Sequence, residues 1–510
     1  MSTWRVAVAA PHHEATAAAR QAVQSGGNAL DAALAAAAVL TVVYPHQCAL
    51  GGDLIAVVRE PDGSVHAVVS VGAAASGIDV AAIRAAHDRM PGRGPLAVTV
   101  PGVVAGWRTL EGLGAALPLS SALAEAARIA EEGTAVSAGM RRALLANAEL
   151  LHTDPGSRAA FFDADGQPLA EGALWRQPAL ARTLRTLADE PSAFYTGDLA
   201  ATLVAGLQKL GSPITAGDLA VHRAVTTTPV SRTIDGVRWF TAPAPSQASA
   251  LLAVLGDDAR RSAADLLDRS IRVAQARDAL LADPRVAEVD LDRFFAAAEG
   301  TDVFAALTGP GVPRPQGDTV AVTAVDDEGR AVTLIQSVYQ SFGAGLLEPE
   351  TGIVLHSRGS AFSLDPGHPA FLRPGARPPH TLSPTVAVGD DLVLALGCQG
   401  GRAQPWILSQ VAGDLTDPGS DAVEVLGRQR WVFGARDIGA DEPTLVVEHD
   451  GVADDLAEVA ARAGLRSTAR GARWDEAGHV QVSRLAGGNL STASDPRADG
   501  AAEIVTGPVA

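Results

Sequence analysis

The segment Gly317-Asp-Thr319-Val-Ala-Val-Thr-Ala-Val325 decides the fold, because a linker changes there abruptly into a strand pattern. Residues 308–318 include three prolines and three glycines, which cannot continue a helix or a central strand, so we expect an exposed loop. From Thr319 the residues are β-branched and alternating, and after a turn at 326–329 a second strand pattern covers 331–338. The sequence therefore predicts a hairpin whose first strand begins with Thr319.

Thr319 also has a chemical interpretation beside the structural one. Most threonines at the start of a strand are simply good strand formers. A threonine hydroxyl becomes an effective nucleophile when a base lies beside it, and a cut immediately before Thr319 would free its own α-amine as that base. The same hydroxyl can make the cut by attacking the carbonyl of Asp318, after which water releases the ester.

Composition limits the classes of function. The chain has 510 residues, of which 47% are hydrophobic and 19% charged, which is typical of a packed globular protein. The formal net charge of −18 argues against a nucleic-acid partner. Lys209 is the only lysine, which excludes a phosphate-binding loop ending in Gly-Lys-Ser/Thr and a Ser-x-x-Lys nucleophile pair elsewhere. The two cysteines, Cys48 and Cys398, are too few for a disulfide framework, and we interpret both as buried small hydrophobes.

The rest of the sequence predicts both helices and β-hairpins. The first 45 residues suggest two helices around a turn at 26–28, and the apolar run Ala32–Val43 is too short to span a bilayer, so it predicts a buried helix. Hairpins are predicted at 54–71 and 385–396, and mainly helices over 100–230. The tail beyond 487 is polar and is expected to be irregular. No signal peptide is visible, so we expect a cytoplasmic protein without a membrane partner.

Several ordered motifs point to a known family. They are Ser25-Gly-Gly-Asn-Ala-Leu-Asp-Ala-Ala33, Pro45-His-Gln-Cys-Ala-Leu-Gly-Gly52, Val98-Thr-Val-Pro-Gly-Val-Val-Ala-Gly-Trp107, Phe194-Tyr-Thr-Gly-Asp-Leu-Ala200, Ala242-Pro-Ala-Pro-Ser246, Gly317-Asp-Thr-Val320, Phe342-Gly-Ala-Gly345, Ser383-Pro384 and Gly400-Gly401. With these motifs the chain resembles the γ-glutamyltransferase family of N-terminal-nucleophile hydrolases over nearly its whole length.

The resemblance implies a fold and a mechanism. The fold would be α+β, a four-layer αββα sandwich, made as one precursor and cut between Asp318 and Thr319 into segments 1–318 and 319–510. The two segments would stay together as a heterodimer in one composite domain, and such heterodimers could pair further. Thr319 matches the nucleophile, and Ser337 matches a threonine that binds the freed amine. Gly400 and Gly401 match the backbone N–H pair of the oxyanion hole, where a strand-to-helix turn is the purely structural alternative.

Departures from the family pattern concern the substrate. The resemblance places Ala361 where the family has an acidic residue for the glutamyl α-amine, so the ammonium has lost its counter-charge. Tyr339 replaces an asparagine, and His380 and Thr381 replace a pair of serines. In a loose alignment, Gly77 occupies the position of the family's arginine.

Arg358 stands where glutamine or glutamate is usual. Arg358, His380, Thr381 and Tyr339 could together hold a carboxylate or an amide carbonyl. The structural alternative is an ion pair between Arg358 and Asp365. Arg402 is a weaker candidate for the same role. The pattern over 357–367 is similar to branches that include cephalosporin-type acylases and amidohydrolases of small oxo-acid amides such as oxamate.

Three functions remain open at this point. The favoured one is a self-processing threonine amidohydrolase that hydrolyses an amide of a small carboxylate-bearing substrate through an acyl-enzyme. The alternatives are a glutathione hydrolase or γ-glutamyltransferase, and an unprocessed homologue that binds a carboxylate without chemistry. We expect no cofactor and no metal, since His12-His13-Glu14 lacks a matching ligand spacing. Dinucleotide, Gly-x-Ser-x-Gly and His-Glu-x-x-His motifs are absent from the sequence.

Overall fold

The structure is a computed structural model that describes residues 3–300, 318–435 and 440–508. The predicted linker at 308–317 lies outside the described residues. The strands are β1 (Thr3–Ala10), β2 (Asp53–Arg59), β3 (Val65–Ser70), β4 (Thr134–Ala135), β5 (Leu174–Trp175), β6 (Val225–Thr227), β7 (Val230–Ile234), β8 (Val237–Thr241), β9 (Asp318–Asp326), β10 (Ala331–Tyr339), β11 (Leu347–Glu348), β12 (Ile353–Val354), β13 (Thr385–Gly389), β14 (Leu392–Cys398), β15 (Trp431–Gly434), β16 (Thr444–Val447), β17 (Arg466–Ala469), β18 (Val480–Ala486), β19 (Asn489–Ser494) and β20 (Ala501–Pro508).

Helices cover both outer faces of the molecule. They are α1 (His13–Gln24), α2 (Ala29–Val43), α3 (Val80–Ala86), α4 (Val103–Glu111), α5 (Leu119–Glu132), α6 (Ala138–Ala146), α7 (Ala148–Thr153), α8 (Pro155–Phe161), α9 (Pro178–Asp189), α10 (Gly197–Lys209), α11 (Ala216–Ala220), α12 (Ser249–Leu255), α13 (Ala263–Leu280), α14 (Leu291–Ala298), α15 (Gln404–Leu415), α16 (Ala422–Gly427) and α17 (Asp454–Arg462). Among the described residues, no helix is both long and apolar enough to cross a membrane.

Two antiparallel sheets form the centre. The seven-stranded sheet has the order β20-β1-β9-β10-β2-β3-β6, and the six-stranded sheet has the order β19-β18-β14-β13-β8-β7. Strands from before and after residue 318 interleave in both sheets, since β9 pairs with β1 on one side and β10 pairs with β2 on the other. Likewise, β13 pairs with β8 in the second sheet. The predicted segments 1–318 and 319–510 therefore share both sheets.

Side-chain alternation along β9 produces the layers. Ala321 and Val325 pack into the apolar cluster between the two sheets, whereas Val320 and Val322 face the cluster formed with the outer helices. The two sheets also contact through a hydrogen bond from Thr333 Oγ1 to the carbonyl of Thr385, at 2.7 Å. Helices α12, α13 and α15 cover the far face of the six-stranded sheet. The predicted four-layer αββα sandwich is confirmed.

The buried helix predicted from the apolar run is α2. Every residue of α2 is buried, and Asn28 caps its first turn while Asp31 bonds back to the Asn28 N–H. The predicted hairpins are present as β2–β3, β9–β10 and β13–β14. Cys48 and Cys398 are both buried and free, as expected.

The two helices predicted in the first 45 residues are present as α1 and α2, but β1 precedes them and was not predicted. The expectation of an irregular tail is wrong, because the tail forms β19 and β20. Strand β1 lies between β9 and β20, so that Ala7 pairs with both Val325 and Ile504. β1 and β20 depend on partners hundreds of residues away, and a local pattern contains little information about such pairing, whereas β19 pairs with β18 in a local hairpin.

Candidate active site

Thr319 is the second residue of β9 and is 1% exposed. Alternation places it on the same face as Ala321, between the two sheets. Its Oγ1 donates a hydrogen bond of 3.1 Å to Ser337 Oγ on the neighbouring strand β10. The sequence-predicted pair therefore meets in the inter-sheet space.

Ser337 connects Thr319 to the peptide bond before it. Besides accepting from Thr319, Ser337 Oγ accepts from the N–H of Tyr339 at 2.8 Å. It donates to the carbonyl oxygen of Asp318 at 2.5 Å. A hydroxyl that donates to a carbonyl oxygen polarises that carbonyl. The carbonyl in question belongs to the bond between Asp318 and Thr319.

A break in the β9–β10 ladder creates this arrangement. The register shifts between Gln336 and Tyr339, and Tyr339 takes a φ of 79°, which non-glycine residues rarely adopt. Gly52 allows the close approach, because a Cβ at Gly52 would lie 2.4 Å from the Ser337 carbonyl oxygen. Strain of this kind is concentrated at functional sites, and here it accompanies a Tyr339 ring that lies against Arg358.

Gly400 and Gly401 follow β14 and precede α15. Their φ angles are 140° and 52°, values that favour glycine. A Cβ at Gly400 would also lie 2.4 Å from Ile407 Cδ1. The first N–H groups of a helical turn have no acceptor inside it, and the helix dipole favours negative charge at that end. Gly400 lines the same cavity as Asp318, which brings this loop next to the bond before Thr319.

Arg358 is a buried cation without a close anionic partner. It is 2% exposed, its Cζ lies 3.4 Å from the centroid of the Tyr339 ring, and its Nη1 donates to Thr381 Oγ1 at 3.2 Å. Within the described residues, no carboxylate lies within 4.0 Å of its nitrogens and its Nε has no hydrogen-bond partner. The ion pair between Arg358 and Asp365 that the sequence left open is not formed. Asp365 instead accepts a hydrogen bond from the N–H of Gly367 in its own turn. Burial lowers the pKa of Arg358.

His380 lies beside this arginine with both ring nitrogens engaged. Nδ1 accepts from the N–H of Leu382 at 3.4 Å, which leaves the ring proton on Nε2, 3.2 Å from Asp53 Oδ2. His380 therefore presents its ring to the cavity, while its nitrogens bond within the protein. Burial lowers the pKa of His380 well below its usual value.

The cavity at Arg358, here called the Arg358 cavity, has a volume of about 70 Å³. The residues predicted to bind substrate share it; they are Tyr339, Arg358, His380 and Thr381. Ala361 also lines it, so a methyl group stands where the family pattern has an acid. Arg402 lines it as well, paired with Asp278. Gly77 is not among its lining residues and is exposed, with no atom within 4 Å of the position of a Cβ.

Two supporting residues escaped the sequence analysis. Asp53, the first residue of β2, is fully buried beneath His380, and burial raises its pKa to about 8. Gln247 donates through Nε2 to the carbonyls of Thr381, at 3.0 Å, and Gly401, at 2.9 Å. The signal for Gln247 was its position directly after the motif Ala242-Pro-Ala-Pro-Ser246. Asp53 had the same signal, since it directly follows the motif Pro45-His-Gln-Cys-Ala-Leu-Gly-Gly52.

The N-terminal histidines are closer together than their spacing suggested. Ligand atoms of His12, His13 and Glu14 lie within 4.8 Å of one another. His12 Nδ1 already accepts from the N–H of Glu14 at 3.3 Å and so caps α1.

The αββα sandwich, with this polar site at the start of a central strand, defines an N-terminal-nucleophile amide hydrolase. The description of the matching family is gamma-glutamyltranspeptidase, and the match covers residues 15–505. The chain belongs to this family.

Relatives extend this assignment. The chain is 38% identical to the oxamate amidohydrolase proenzyme of Klebsiella pneumoniae, over 98% of both chains. It is 34% identical to a glutathione hydrolase-like proenzyme of Bacillus subtilis, over 84% of this chain and 85% of that one. The cephalosporin acylase of Bacillus halodurans superposes with a TM-score of 0.85 at 28% identity, covering 99% of this chain and 96% of that one.

Proposed function

We propose that Thr319 is the nucleophile, both for cleavage of its own chain and for hydrolysis of substrate. The supporting observation is the Ser337 hydroxyl, which bonds to Thr319 Oγ1 and to the carbonyl of Asp318. In the first reaction, Thr319 Oγ attacks the Asp318 carbonyl carbon, the C–N bond breaks and the hydroxyl proton passes to the nitrogen, which leaves an ester and frees the Thr319 α-amine. Water then hydrolyses the ester, which gives the Asp318 carboxylate and regenerates the Thr319 hydroxyl.

The cut chain carries out the second reaction. The α-amine takes the proton from Thr319 Oγ, which attacks the substrate amide, and Gly400 and Gly401 donate N–H groups to the oxyanion. The α-amine passes the proton to the leaving nitrogen, and water hydrolyses the acyl-enzyme. Because strands of both segments interleave in both sheets, the fragments 1–318 and 319–510 stay associated as a heterodimer.

The substrate is a small amide whose acyl half carries a carboxylate. Burial of Arg358 without a carboxylate partner is costly, and a substrate carboxylate would supply the missing charge. Thr381 adds a hydroxyl, and the 70 Å³ cavity suits an acyl group of few atoms, given that a cavity needs about 10–15 Å³ of this volume to hold one water. Oxamate, with its carboxylate next to the amide carbonyl, fits this description, and one relative is an oxamate amidohydrolase.

A γ-glutamyl compound such as glutathione is the second candidate, supported by the family and by the Bacillus subtilis relative. The site offers little to its α-ammonium group. Ala361 carries no charge, and the carboxylate of Asp278 in the same cavity already pairs with Arg277 and Arg402. We therefore favour small acid amides over glutathione as the substrate. We also favour hydrolysis over acyl transfer as the reaction.

Intact-mass measurement under denaturing conditions tests the proposal, with wild-type protein beside Thr319→Ala. Two masses corresponding to 1–318 and 319–510, absent from the variant, are expected. Ammonia release from oxamate and cleavage of a γ-glutamyl anilide then separate the two substrate classes. A single uncut mass without ammonia release would favour the third function, a carboxylate-binding homologue without chemistry.

A further inference from the structure

A second cavity is lined by Asp318, the residue before Thr319. It has a volume of about 170 Å³, and the residues that matter here are Tyr44, His46, Asp318, Gly400, Glu476 and His479. We call it the acidic cavity. It shares no lining residue with the Arg358 cavity, yet Gly400 and Asp318 place it directly beside the scissile bond.

The walls of the acidic cavity carry more carboxyl groups than cations. In the uncut chain Asp318, Asp475 and Glu476 line it; Asp475 and Glu476 remain when the leaving group takes the place of Asp318, and Arg142, the arginine among its lining residues, pairs with Asp475 at 3.1 Å. Burial raises the pKa of the Asp318 side chain to about 7 and also raises the pKa of Glu476. A positively charged group inside the cavity would relieve the cost of ionising these acids.

Buried polar atoms without partners belong to residues that line the same cavity. In the described part of the chain, His46 Nδ1, Gln47 Oε1 and His479 Nδ1 have no hydrogen-bond partner, and His479 Nε2 lies 3.9 Å from Asp475 Oδ1, beyond hydrogen-bond distance. These side chains line the cavity and are only 3%, 4% and 3% exposed. Burial lowers the pKa of His46 to about 3, so its ring is neutral. An unpaired buried acceptor costs free energy that an N–H donor would recover.

The direction of the leaving group follows from the scissile bond. After the cut, the Thr319 α-amine lies where the nitrogen of the Asp318–Thr319 peptide now lies. The leaving nitrogen of a substrate must reach that amine to receive its proton. It therefore extends into the space that Asp318 fills in the uncut chain, which opens into the acidic cavity. The acyl half extends the opposite way, toward Tyr339 and Arg358.

We propose that the acidic cavity binds the amine half of the substrate, and that this half is an alkylamine bearing a further ammonium group. This inference rests on the proposed function and adds the leaving-group class to it. In the reaction, the amide C–N bond breaks, the ester C–O bond forms, and the Thr319 hydroxyl proton passes through the α-amine to the leaving nitrogen. The volume of 170 Å³ is many times the ~10–15 Å³ that a cavity needs to hold one water-sized group such as ammonia.

Two small probes test the cavities separately. Binding of 1,3-diaminopropane and of oxalate is measured calorimetrically on purified wild-type protein, Glu476→Gln and Arg358→Ala, with Glu171→Gln on the exposed surface as a matched control. We expect Glu476→Gln to weaken diamine binding about tenfold, as for loss of a charged hydrogen bond, and to leave oxalate binding unchanged. Arg358→Ala should do the reverse.

Failure of this inference can be told apart from failure of the proposed function. Absent diamine binding, or diamine binding equal in wild type and Glu476→Gln, overturns the inference even if oxalate binds and oxamate is hydrolysed. Loss of oxalate binding and of all oxamate hydrolysis overturns the proposed function, while the diamine result still decides the cavity. As a second measurement, N-(3-aminopropyl)oxamate should be hydrolysed faster than N-butyloxamate in wild type, and Glu476→Gln should remove the difference.

Discussion

The Ser337 hydroxyl oxygen lies 3.1 Å from Thr319 Oγ1 and 2.5 Å from the carbonyl oxygen of Asp318. One side chain thus contacts both the attacking hydroxyl and the carbonyl that we propose it attacks. The contact exists in the uncut chain, as the proposed cleavage by Thr319 requires.

Replacement of Ser337 by alanine should slow self-cleavage. Losing a single donor to a developing oxyanion costs about 100-fold in rate or more, and we expect an effect of this size. The measurement is a time course of intact mass after purification. Ser337→Thr keeps the hydroxyl and serves as the matched variant; cleavage of Ser337→Ala at the wild-type rate would contradict the role of this contact.

Replacement of Arg358 by alanine should raise KM for oxamate about 100-fold, because truncating one partner of a buried charge pair costs 2–5 kcal/mol or more. Arg358→Lys keeps the charge but loses the planar fork and the stacking on Tyr339, so partial activity is expected. Arg182→Ala, at an exposed position of α9, is the control. Unchanged steady-state kinetics in Arg358→Ala would contradict the role of Arg358 in binding the substrate carboxylate.

Binding of an anionic ligand should weaken as pH rises through about 8. Burial, the largest effect, raises the pKa of Asp53 from 3.8 to about 8, so the folded protein keeps this group uncharged at neutral pH. Above that pH an ionised Asp53 supplies a counter-charge to Arg358 and competes with the ligand. His356 and His380 also face Asp53, and burial keeps both neutral over this range.

The same shift affects stability with a definite sign. Because the pKa of folded Asp53 exceeds its ordinary value, its contribution to stability is present below pH 3.8 and is lost as pH rises through about 8. Oxalate titrations and melting curves from pH 6.5 to 9 check both effects. The pH steps should be absent from Asp53→Asn, and their persistence in that variant would assign them to another group.

Introducing an acid at Ala361 should move the specificity toward γ-glutamyl compounds. Ala361→Asp adds a partner for the α-ammonium group and a counter-charge for Arg358 in one cavity. We expect kcat/KM for a γ-glutamyl anilide to rise about tenfold while oxamate hydrolysis falls. Ala361→Asn, of similar size and without charge, is the comparison, and equal profiles for the two variants would refute the electrostatic explanation.

The hairpin that carries Thr319 and Ser337 could be predicted from sequence because its pattern is local: alternating residues, a turn and alternating residues again. The strands at the two chain ends could not be predicted in this way, since Ala7 and Ile504 depend on one another across the whole chain. The same alternation along β9 also predicts which of its side chains face the other sheet and which face the outer helices.

The site was predictable in part. Motifs identified the residues that line the Arg358 cavity, but not the hydrogen bonds that decide what each can do. His380 looked like a donor to substrate until Asp53 and Leu382 were found to engage its nitrogens. The positive φ of Tyr339, which accompanies its contact with Arg358, likewise depends on a register shift that no sequence pattern reveals.

The interleaving of strands from both sides of residue 318 has a consequence for how the protein refolds. Before the cut, folding is a unimolecular search, because β1, β9 and β10 belong to one chain. Afterwards, regaining the native state from denaturant would require two separate polypeptides to meet, so its rate would depend on concentration. Cleavage at the proposed site would thus make refolding dependent on concentration, and at low concentration the active form would be preserved by slow unfolding more than by its capacity to refold.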